Sequence, residues 1–314
     1  MTTYAVRRGL ESIVLVLLIT VFTFALIQAS PGGPSILLDP NMSPEEVARA
    51  RALYGLDQPV HVQYLRWLGQ LFNANLGYSI GAGRAVSDLI SASLPPTLIL
   101  AGASLILALL LAIPIGVISA IRRGTWVDQV ATTISAFGLS IPVFWYGLML
   151  ISLFAVNLRW LPAGGMYTIG RESLGDLLLH LVLPVIALGT VNMAQLVRYT
   201  RSSMLSVLHQ DYVRTARAKG LSERAVVYRH AFRSALIPIV TLLGVLIPRL
   251  VGGAAVTESV FSWPGMGRLA VSAAFRRDYP TIMGITLLIS LIVIVSNLIV
   301  DLMYSRLDPR VRYS

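Results

Sequence analysis

The amino-acid sequence predicts an all-α integral membrane protein. Of its 314 residues, 55% are hydrophobic and only 13% carry a charge, whereas soluble domains average about 25% charged residues. The mean hydropathy of +0.73 comes largely from separate apolar runs, each close to the roughly 20 residues that cross a bilayer as a helix. The chain is therefore expected to fold as a bundle of membrane-spanning helices.

Six apolar stretches are candidate transmembrane helices, at 13–29, 97–121, 130–156, 177–197, 236–256 and 281–304. They divide the chain into a basic tip with the first span (1–30), a helical extracytoplasmic segment (31–96), a membrane domain (97–304) and a cytoplasmic tail (305–314). Within the extracytoplasmic segment, a helix start is predicted at Ser43-Pro44-Glu45-Glu46. Proline suits the first helical position, and acids suit the first turn.

The first span is interpreted as a retained helix with its N-terminus in the cytoplasm. A signal peptide is the alternative, but cleavage favours small residues at both the −1 and −3 positions. Before Pro31 these positions hold Ser30 and Gln28. Arg7 and Arg8 precede the span, and the predicted cytoplasmic segments together hold more arginine than the external ones. By the positive-inside rule, six spans then place both termini in the cytoplasm.

The segment 198–235 is polar and strongly basic, although apolar spans flank it on both sides. Local signals divide it into two short helices. Asp211 can cap the first helix, Gly220 suits the left-handed position that ends it, and Ser222 can cap the second. One interpretation is a cytoplasmic loop that only sets the topology. The other is a docking element for a cytoplasmic partner, which two capped helices favour because orientation alone does not require them.

Two runs in this segment, YVRTARAKG at 212–220 and RHAFRSALIP at 229–238, resemble the coupling loop of ABC-importer permeases. The resemblance is to the dipeptide, oligopeptide and nickel branch in particular. In that family the loop is called the EAA motif, and it inserts into a groove of the ATPase subunit. The residues that the resemblance places at this contact are Asp211, Tyr212, Arg214, Thr215, Ala216, Arg217, Ala218, Lys219, Gly220, Arg229, His230 and Arg233.

The match to the motif departs from its general pattern at a few positions. Ala216, Ala218 and Gly220 agree with the small residues and the glycine of the motif. The general pattern has a proline where this chain has Arg233, and an acid near Arg214. Both departures are usual in the peptide branch, so the resemblance to that branch stands.

Further runs extend the resemblance to nearly the whole chain: GLDQP at 55–59, WPGMG at 263–267 and LDPRVRY at 307–313. The family implies a type I ABC-importer permease fold of six transmembrane helices that works by alternating access. It also implies a second homologous permease subunit, two ABC ATPase subunits and an extracytoplasmic substrate-binding protein. The residues implicated in docking the binding protein are Trp263, Pro264, Gly265, Met266 and Arg268.

The resemblance makes a di- or oligopeptide the expected cargo, with glutathione and nickel chelates as alternatives because other members of the family carry them. An ATPase-independent secondary transporter or channel is the alternative class of protein. The structured basic loop counts against that class, as does the scarcity of acids within the spans, which ion-coupled carriers usually need. A membrane-embedded enzyme would need a catalytic cluster, and none is visible in the sequence.

The chain has no ATP site of the P-loop type. Its only lysine, Lys219, is followed by Gly220 and Leu221, so the pattern GxxxxGK[ST] cannot occur. ATP and magnesium are therefore expected on the partner ATPase subunits, and neither a cofactor nor a metal is expected on this chain. The four histidines, His180 among them, lack ligand spacing and are expected outside the spans, and there is no cysteine. The arginines are concentrated between the spans, which indicates contact with membrane lipid and not with nucleic acid.

Polar residues within the predicted spans are candidates for the substrate pathway. Arg249 is the clearest, since a charge inside a span is a functional hypothesis by default and could meet an anionic part of the cargo. The alternatives for Arg249 are snorkelling to the outer interface and pairing with Glu258, which is itself a pathway candidate. Asn192 and Gln195 are uncharged candidates, for which helix–helix packing is the alternative.

Overall fold

The structure, a computed structural model, describes residues 2–29, 34 and 42–307. In this part the chain is helical, with turns and one isolated bridge between Tyr78 and Ala85. The helices are α1 (Thr2–Ala29), α2 (Pro44–Leu53), α3 (Val60–Phe72), α4 (Val86–Ile121), α5 (Trp126–Ser140), α6 (Val143–Leu150), α7 (Leu174–Leu208), α8 (Asp211–Ala218), α9 (Glu223–Ala225), α10 (Phe232–Gly253), α11 (Ala255–Val260), α12 (Met266–Arg276) and α13 (Tyr279–Leu307). Apart from Leu307, the tail motif at 307–313 lies outside the described residues.

Five helices in the described chain are long and apolar enough to cross a membrane, and one bent pair could supply a sixth span. This result confirms the predicted all-α membrane architecture. The five are Leu10–Ala29, Val86–Ile121, Leu174–Leu208, Glu223–Val260 and Tyr279–Val300.

The predicted span 130–156 is not one continuous helix. Helix α5 ends at Ser140, α6 begins at Val143, and the two are bent by 98°. Pro142 explains the break, because proline has no N–H to donate and drives the residue before it out of the helical conformation. Ile141 accordingly has an extended backbone with ψ of 125°.

Two spans are longer than their apolar cores. Helix α4 begins at Val86 rather than at 97, and α7 ends at Leu208 rather than at 197. The apolar run marks only the part of a helix that lies in hydrocarbon, and polar side chains beyond it are solvated without ending the helix. Arg198 and Arg201 therefore belong to α7 and not to a loop.

The chain divides into two compact units, of which the first comprises Met1–Thr97 and Pro264–Ile294. Within this unit α2 begins as predicted. The N–H of Ser43 donates to the carboxylate of Glu46 at 2.7 Å, and the N–H of Glu46 donates to the hydroxyl of Ser43 at 3.3 Å. This reciprocal pair is a capping box, which satisfies backbone donors at the start of a helix.

A buried carboxylate, Asp278, holds the loop that precedes α4 in the same unit. It accepts hydrogen bonds from the hydroxyl of Ser79, from the N–H of Ile80 at 3.0 Å and from the hydroxyl of Thr281 at 2.8 Å. Sequence analysis did not single out Asp278. Its partner Ser79 lies 199 residues earlier, and no local pattern links the two.

The second unit comprises Leu98–Trp263 and Val295–Ser314, and α7 lies at its centre. Helices α5, α6 and α10 all pack along α7. Small residues allow a close approach of α4 as well, since a Cβ atom on Gly116 would come within 2.6 Å of the Thr200 side chain. The features of the candidate functional site belong to this unit, except for residues 264–268 of one loop, which belong to the first unit.

Candidate functional site

The short helix α8 begins one residue earlier than its predicted cap. Gln210 occupies the N-cap position with an extended backbone, and Asp211 is the first helical residue. The prediction that Asp211 caps the helix is therefore wrong. From its actual position the Asp211 carboxylate lies 3.6 Å from Arg214, and a carboxylate in the first turn still interacts favourably with the helix dipole.

Gly220 ends this element as predicted. It adopts the left-handed conformation with φ of +76°, and its N–H donates to the carbonyl of Arg217 at 2.9 Å. A Cβ atom at this position would meet no other atom within 4 Å. The requirement for glycine therefore comes from the backbone conformation and not from lack of space.

Ser222 caps the next helix as predicted, since its hydroxyl accepts from the N–H of Ala225 at 3.4 Å. The prediction of a separate second short helix is wrong, however. Helix α9 continues through a π-helical segment, Val226–Ala231, directly into α10. A continuous helical path therefore connects α9 to a candidate membrane span.

The inner face of α8 is fixed against several long helices. Val213 is fully buried, and Ala216 is nearly so. Both lie in an apolar cluster with Val117 and Ala120 of α4, Met204 of α7, and Val226, Val227, Ala231 and Ala235 on the path into α10. Ala216 thus faces the helices of its own unit, although sequence analysis placed it with the residues that contact an ATPase.

The opposite side of α8 is exposed and basic. We call the exposed residues of α8 and the two residues that follow it the α8 surface: Asp211, Tyr212, Arg214, Thr215, Arg217, Ala218, Lys219 and Gly220. Arg229 and Arg233 on the following helical path are also exposed, and His230 is half-buried. The Nε atom of Arg217 donates to Glu223 at 2.8 Å, which ties the end of α8 to the start of α9.

A partly buried ion pair that sequence analysis missed joins three helices, α4, α5 and α7. Arg201 of α7 donates to both carboxylate oxygens of Asp128 on α5, at 2.6 and 2.8 Å. The hydroxyl of Ser119 on α4 donates to the same carboxylate at 2.6 Å, and so does the N–H of Gly124 at 2.9 Å. A single acid at the start of an apolar helix was the available signal, because it implies a partner.

A cavity of 780 Å³ lies in the second unit between α5, α7 and α10. Its α7 residues recur at the spacing of one helical face. The lining residues are Gln195, Arg198, Tyr199, Arg201 and Ser202 of α7, Thr132, Ala136 and Leu139 of α5, and Arg249 of α10. The lining is polar and basic, and none of these described residues is an acid.

The structure brings two of the predicted pathway residues together and separates the other two from them. Gln195 and Arg249 line the same cavity. Asn192 is buried instead, and its Nδ2 donates to the carbonyl of Leu188 on its own helix at 2.9 Å. Glu258 is fully buried in α11 and does not line the cavity. Among the described residues Arg249 has no ion pair with Glu258 or with any other acid.

The loop predicted to dock a binding protein is only partly exposed. Trp263 is fully buried against Leu100 and Leu181 in the second unit. Met266 is buried in the first unit, and Gly265, the N-cap of α12, is buried as well. The docking hypothesis does not fit these three residues, because their positions are inside the protein. Pro264 and Arg268 are exposed, so the docking hypothesis still applies to these two residues.

His180 lies within α7, so its predicted position outside the spans is wrong. It is buried, and its Nδ1 lies 2.9 Å from the carbonyl oxygen of Asp176, one helical turn earlier. In the part of the chain that the structure describes, no group of three or more acids and histidines could hold a metal ion.

The cavity lies between candidate membrane spans, and the short helix α8 packs against several of them, which is the architecture of a multi-pass membrane protein. Comparison with family models gives the more specific result. Residues 112–313 match the binding-protein-dependent transport system inner membrane component, and residues 1–101 match the N-terminal part of such membrane components. The chain belongs to this family of inner-membrane permeases.

Relatives of known description match over the full chain. The oligopeptide transport system permease protein AppB of Bacillus subtilis is 47% identical, and the match covers 100% of each chain. The di/tripeptide transport system permease protein DppB of Pseudomonas aeruginosa is 41% identical, with 94% of each chain covered. The glutathione transport system permease protein GsiC of Salmonella typhi is 40% identical, with 100% of each covered.

Solved structures support the fold. A chain of the MetNI methionine ABC transporter in an inward-facing conformation matches with a TM-score of 0.56 at 17% identity, covering 70% of this chain and 96% of that one. A chain of an amino acid ABC transporter matches with a TM-score of 0.53 at 16% identity, covering 70% and 94%. The predicted type I ABC-importer permease fold is thereby confirmed.

Proposed function

We propose that this chain is a transmembrane permease subunit of an ATP-driven ABC importer that carries di- or oligopeptides across the cytoplasmic membrane. One observation carries the proposal: α8 is anchored by Val213 and Ala216 to α4, α7 and the start of α10, while its opposite side is exposed and basic. This is the arrangement that a lever between an external motor and a helical bundle requires. The names of the full-length relatives support peptide cargo.

The motor in this proposal is a pair of separate ATPase subunits, because the sequence has no P-loop. ATP and magnesium bind to those subunits, and the α8 surface inserts into a groove on one of them. A second, homologous permease subunit completes the membrane part. An extracytoplasmic binding protein delivers cargo. Of the residues predicted to dock it, the exposed Pro264 and Arg268 make the contact. Both termini of this chain lie in the cytoplasm.

The proposed cycle is alternating access. Closure of the ATPase pair displaces α8, and the buried Val213 and Ala216 transmit the displacement to the helices packed on them. Packed helical elements change between discrete arrangements rather than deforming continuously. The cavity lined by Gln195 and Arg249 is the path of the cargo, and it opens to the outside and the inside in turn.

Glutathione is the second candidate cargo. It is favoured by the full-length match, at 40% identity, to permeases named for glutathione transport. Glutathione is itself a short peptide, so the same cavity and the same coupling element would serve it.

The proposal is tested by purifying the tagged chain in mild detergent from its native host, identifying co-purifying proteins by mass spectrometry and assaying ATPase activity. The expected result is recovery of a P-loop ATPase and a second permease, with ATPase activity in the eluate. A matched pair of variants sharpens the test. Lys219→Glu on the α8 surface should lose the ATPase, whereas Arg123→Glu, which is exposed outside that surface, should keep it. Recovery of a homogeneous chain without ATPase in several detergents would contradict the proposal.

A further inference from the structure

All the charged residues that line the cavity between α5, α7 and α10 are basic. Three of its lining residues are arginines, Arg198, Arg201 and Arg249, and no lining residue is an acid. The charge of Arg201 is balanced, because both of its hydrogen bonds go to the carboxylate of Asp128. Two guanidinium groups therefore remain without a balancing charge.

Arg198 and Arg249 make neither an ion pair nor a hydrogen bond to another side chain among the described residues. Arg249 lies within a predicted span, where a cation is costly and usually marks the path of a substrate or ion, whereas Arg198 lies just beyond the apolar run of α7, on the same helical face as Gln195. Both arginines are exposed at the cavity surface, so an anion that enters the cavity meets them directly, with the strength of a close charge contact in water. The two arginines are thus placed to recognise a negatively charged group that enters the cavity.

We infer that this cavity selects peptides by their carboxylates and favours cargo with a net negative charge over neutral or cationic cargo of the same size. The inference rests on the proposed function, since the cavity is a path for cargo only if the chain is a permease subunit. It goes further by assigning part of the specificity to the membrane subunit itself, at Arg198 and Arg249.

The distribution of polar groups suits an acidic peptide in particular. Arg198 lies on α7 and Arg249 on α10, so the cavity offers cationic groups on two different helices. A peptide with an acidic side chain has two carboxylates to place, one on the side chain and one at the C-terminus. Gln195, Tyr199 and Ser202 on the same face of α7 supply uncharged donors and acceptors for peptide amides.

The test measures uptake by the complete importer, with its partner subunits and binding protein, in proteoliposomes. The substrates are the tripeptides Ala-Asp-Ala and Ala-Asn-Ala, which have nearly the same shape and differ by one negative charge. The affinity of the binding protein for each is measured separately by calorimetry. Each peptide is then supplied at a concentration that saturates the binding protein, so the ratio of the two rates reports on the membrane part.

We expect the wild type to carry the aspartate peptide faster. Arg198→Gln and Arg249→Gln should each lower the ratio of rates by about fivefold, the size of one charge contact in water at close range. Arg249→Glu should shift the preference toward Ala-Lys-Ala. Arg123→Gln is the matched control, because this arginine is exposed outside the cavity and its removal should leave the ratio unchanged.

The outcomes separate this inference from the proposed function. ATP-dependent uptake with equal rates for both peptides in the wild type would overturn the inference, whatever the variants do. So would a ratio that both glutamine variants leave unchanged. In either case the permease function would stand, whereas absence of ATP-dependent uptake of every peptide would contradict the proposed function itself.

Discussion

Arg217 and Glu223 form an ion pair, with the arginine Nε 2.8 Å from the glutamate Oε1. The pair bridges the turn at Gly220 and joins the end of α8 to the start of α9. Because both side chains are substantially exposed, at 41% and 67%, the pair contributes only about 0–1 kcal/mol to the free energy of unfolding. Its position bridges α8 and the path into α10, and in the proposed cycle we expect it to help the two move together.

Breaking this pair is predicted to uncouple ATP hydrolysis from transport. Glu223→Gln should lower the number of peptides carried per ATP hydrolysed while leaving the ATPase subunits bound. Glu223→Asp should keep much of the ratio, because it keeps a carboxylate for Arg217. The measurement is uptake and ATP hydrolysis in the same proteoliposomes. An unchanged ratio in the Glu223→Gln variant would contradict a role for this link in coupling.

Gly220 is predicted to be essential for transport but not for membrane insertion. Its left-handed backbone costs roughly 1–2 kcal/mol for a residue with a Cβ atom, so Gly220→Val should displace α8 and abolish uptake. Gly220→Asn should be milder, since asparagine tolerates this conformation better. Gly170 is a matched control, with φ of +79° and, like Gly220, no atom within 4 Å of an added Cβ. Normal uptake by the Gly220→Val variant would count against the lever, whereas Gly170→Val should transport normally.

The buried pair of Asp128 and Arg201 is predicted to stabilise the second unit. Asp128→Asn leaves Arg201 without a counter-charge and should lower the free energy of unfolding. Breaking such a pair costs about 3–5 kcal/mol when it is fully buried. The lower end of this range of free energies applies to Asp128→Asn, because a quarter of the Arg201 side chain is exposed. Thermal unfolding in detergent checks this, with the exposed Asp211→Asn as control. The variant with both Asp128→Asn and Arg201→Gln should be less destabilised than the sum of the single changes.

Local sequence signals were enough to predict where α8 ends and where the next helix is capped. Gly220 and Ser222 take their predicted roles, because a left-handed residue and a helix cap depend on a few neighbouring residues. The cap at Asp211 was wrong by one position, since an acid is favourable both at the cap and in the first turn. The motif resemblance and the apolar runs together predicted the family and the all-α membrane fold correctly.

What could not be predicted depends on contacts between distant parts of the chain. The pairing of Asp128 with Arg201 spans 73 residues, and nothing in either local sequence indicates the other. The family resemblance placed Trp263 on a docking loop, but tertiary packing buries it. Pro142 explains the break between α5 and α6, whereas no local pattern gives the angle of 98° between them.

The capping box of α2 predicts a dependence on pH. The pKa of the Glu46 carboxyl is lowered, first because the N–H of Ser43 donates to it and second because of the Ser43 hydroxyl. A lowered pKa in the folded state means that the carboxylate stabilises α2 above the ordinary glutamate pKa. This contribution is lost as the pH falls through the lowered value. A carbon-13 titration of Glu46 should give a midpoint below the ordinary range, and a midpoint at or above it would contradict the capping box.

Cross-linking from α8 tests most directly whether its exposed side meets an ATPase. The chain contains no cysteine, so a single introduced thiol is the only site of reaction on it. Ala218 and Ala216 are a matched pair, the same residue type on one helix, with Ala218 exposed and Ala216 buried. Ala218→Cys should cross-link to an ATPase subunit in native membranes, with a yield that changes on ATP addition, and Ala216→Cys should not. Absence of any cross-link from Ala218→Cys, or equal yields from both positions, would contradict the account.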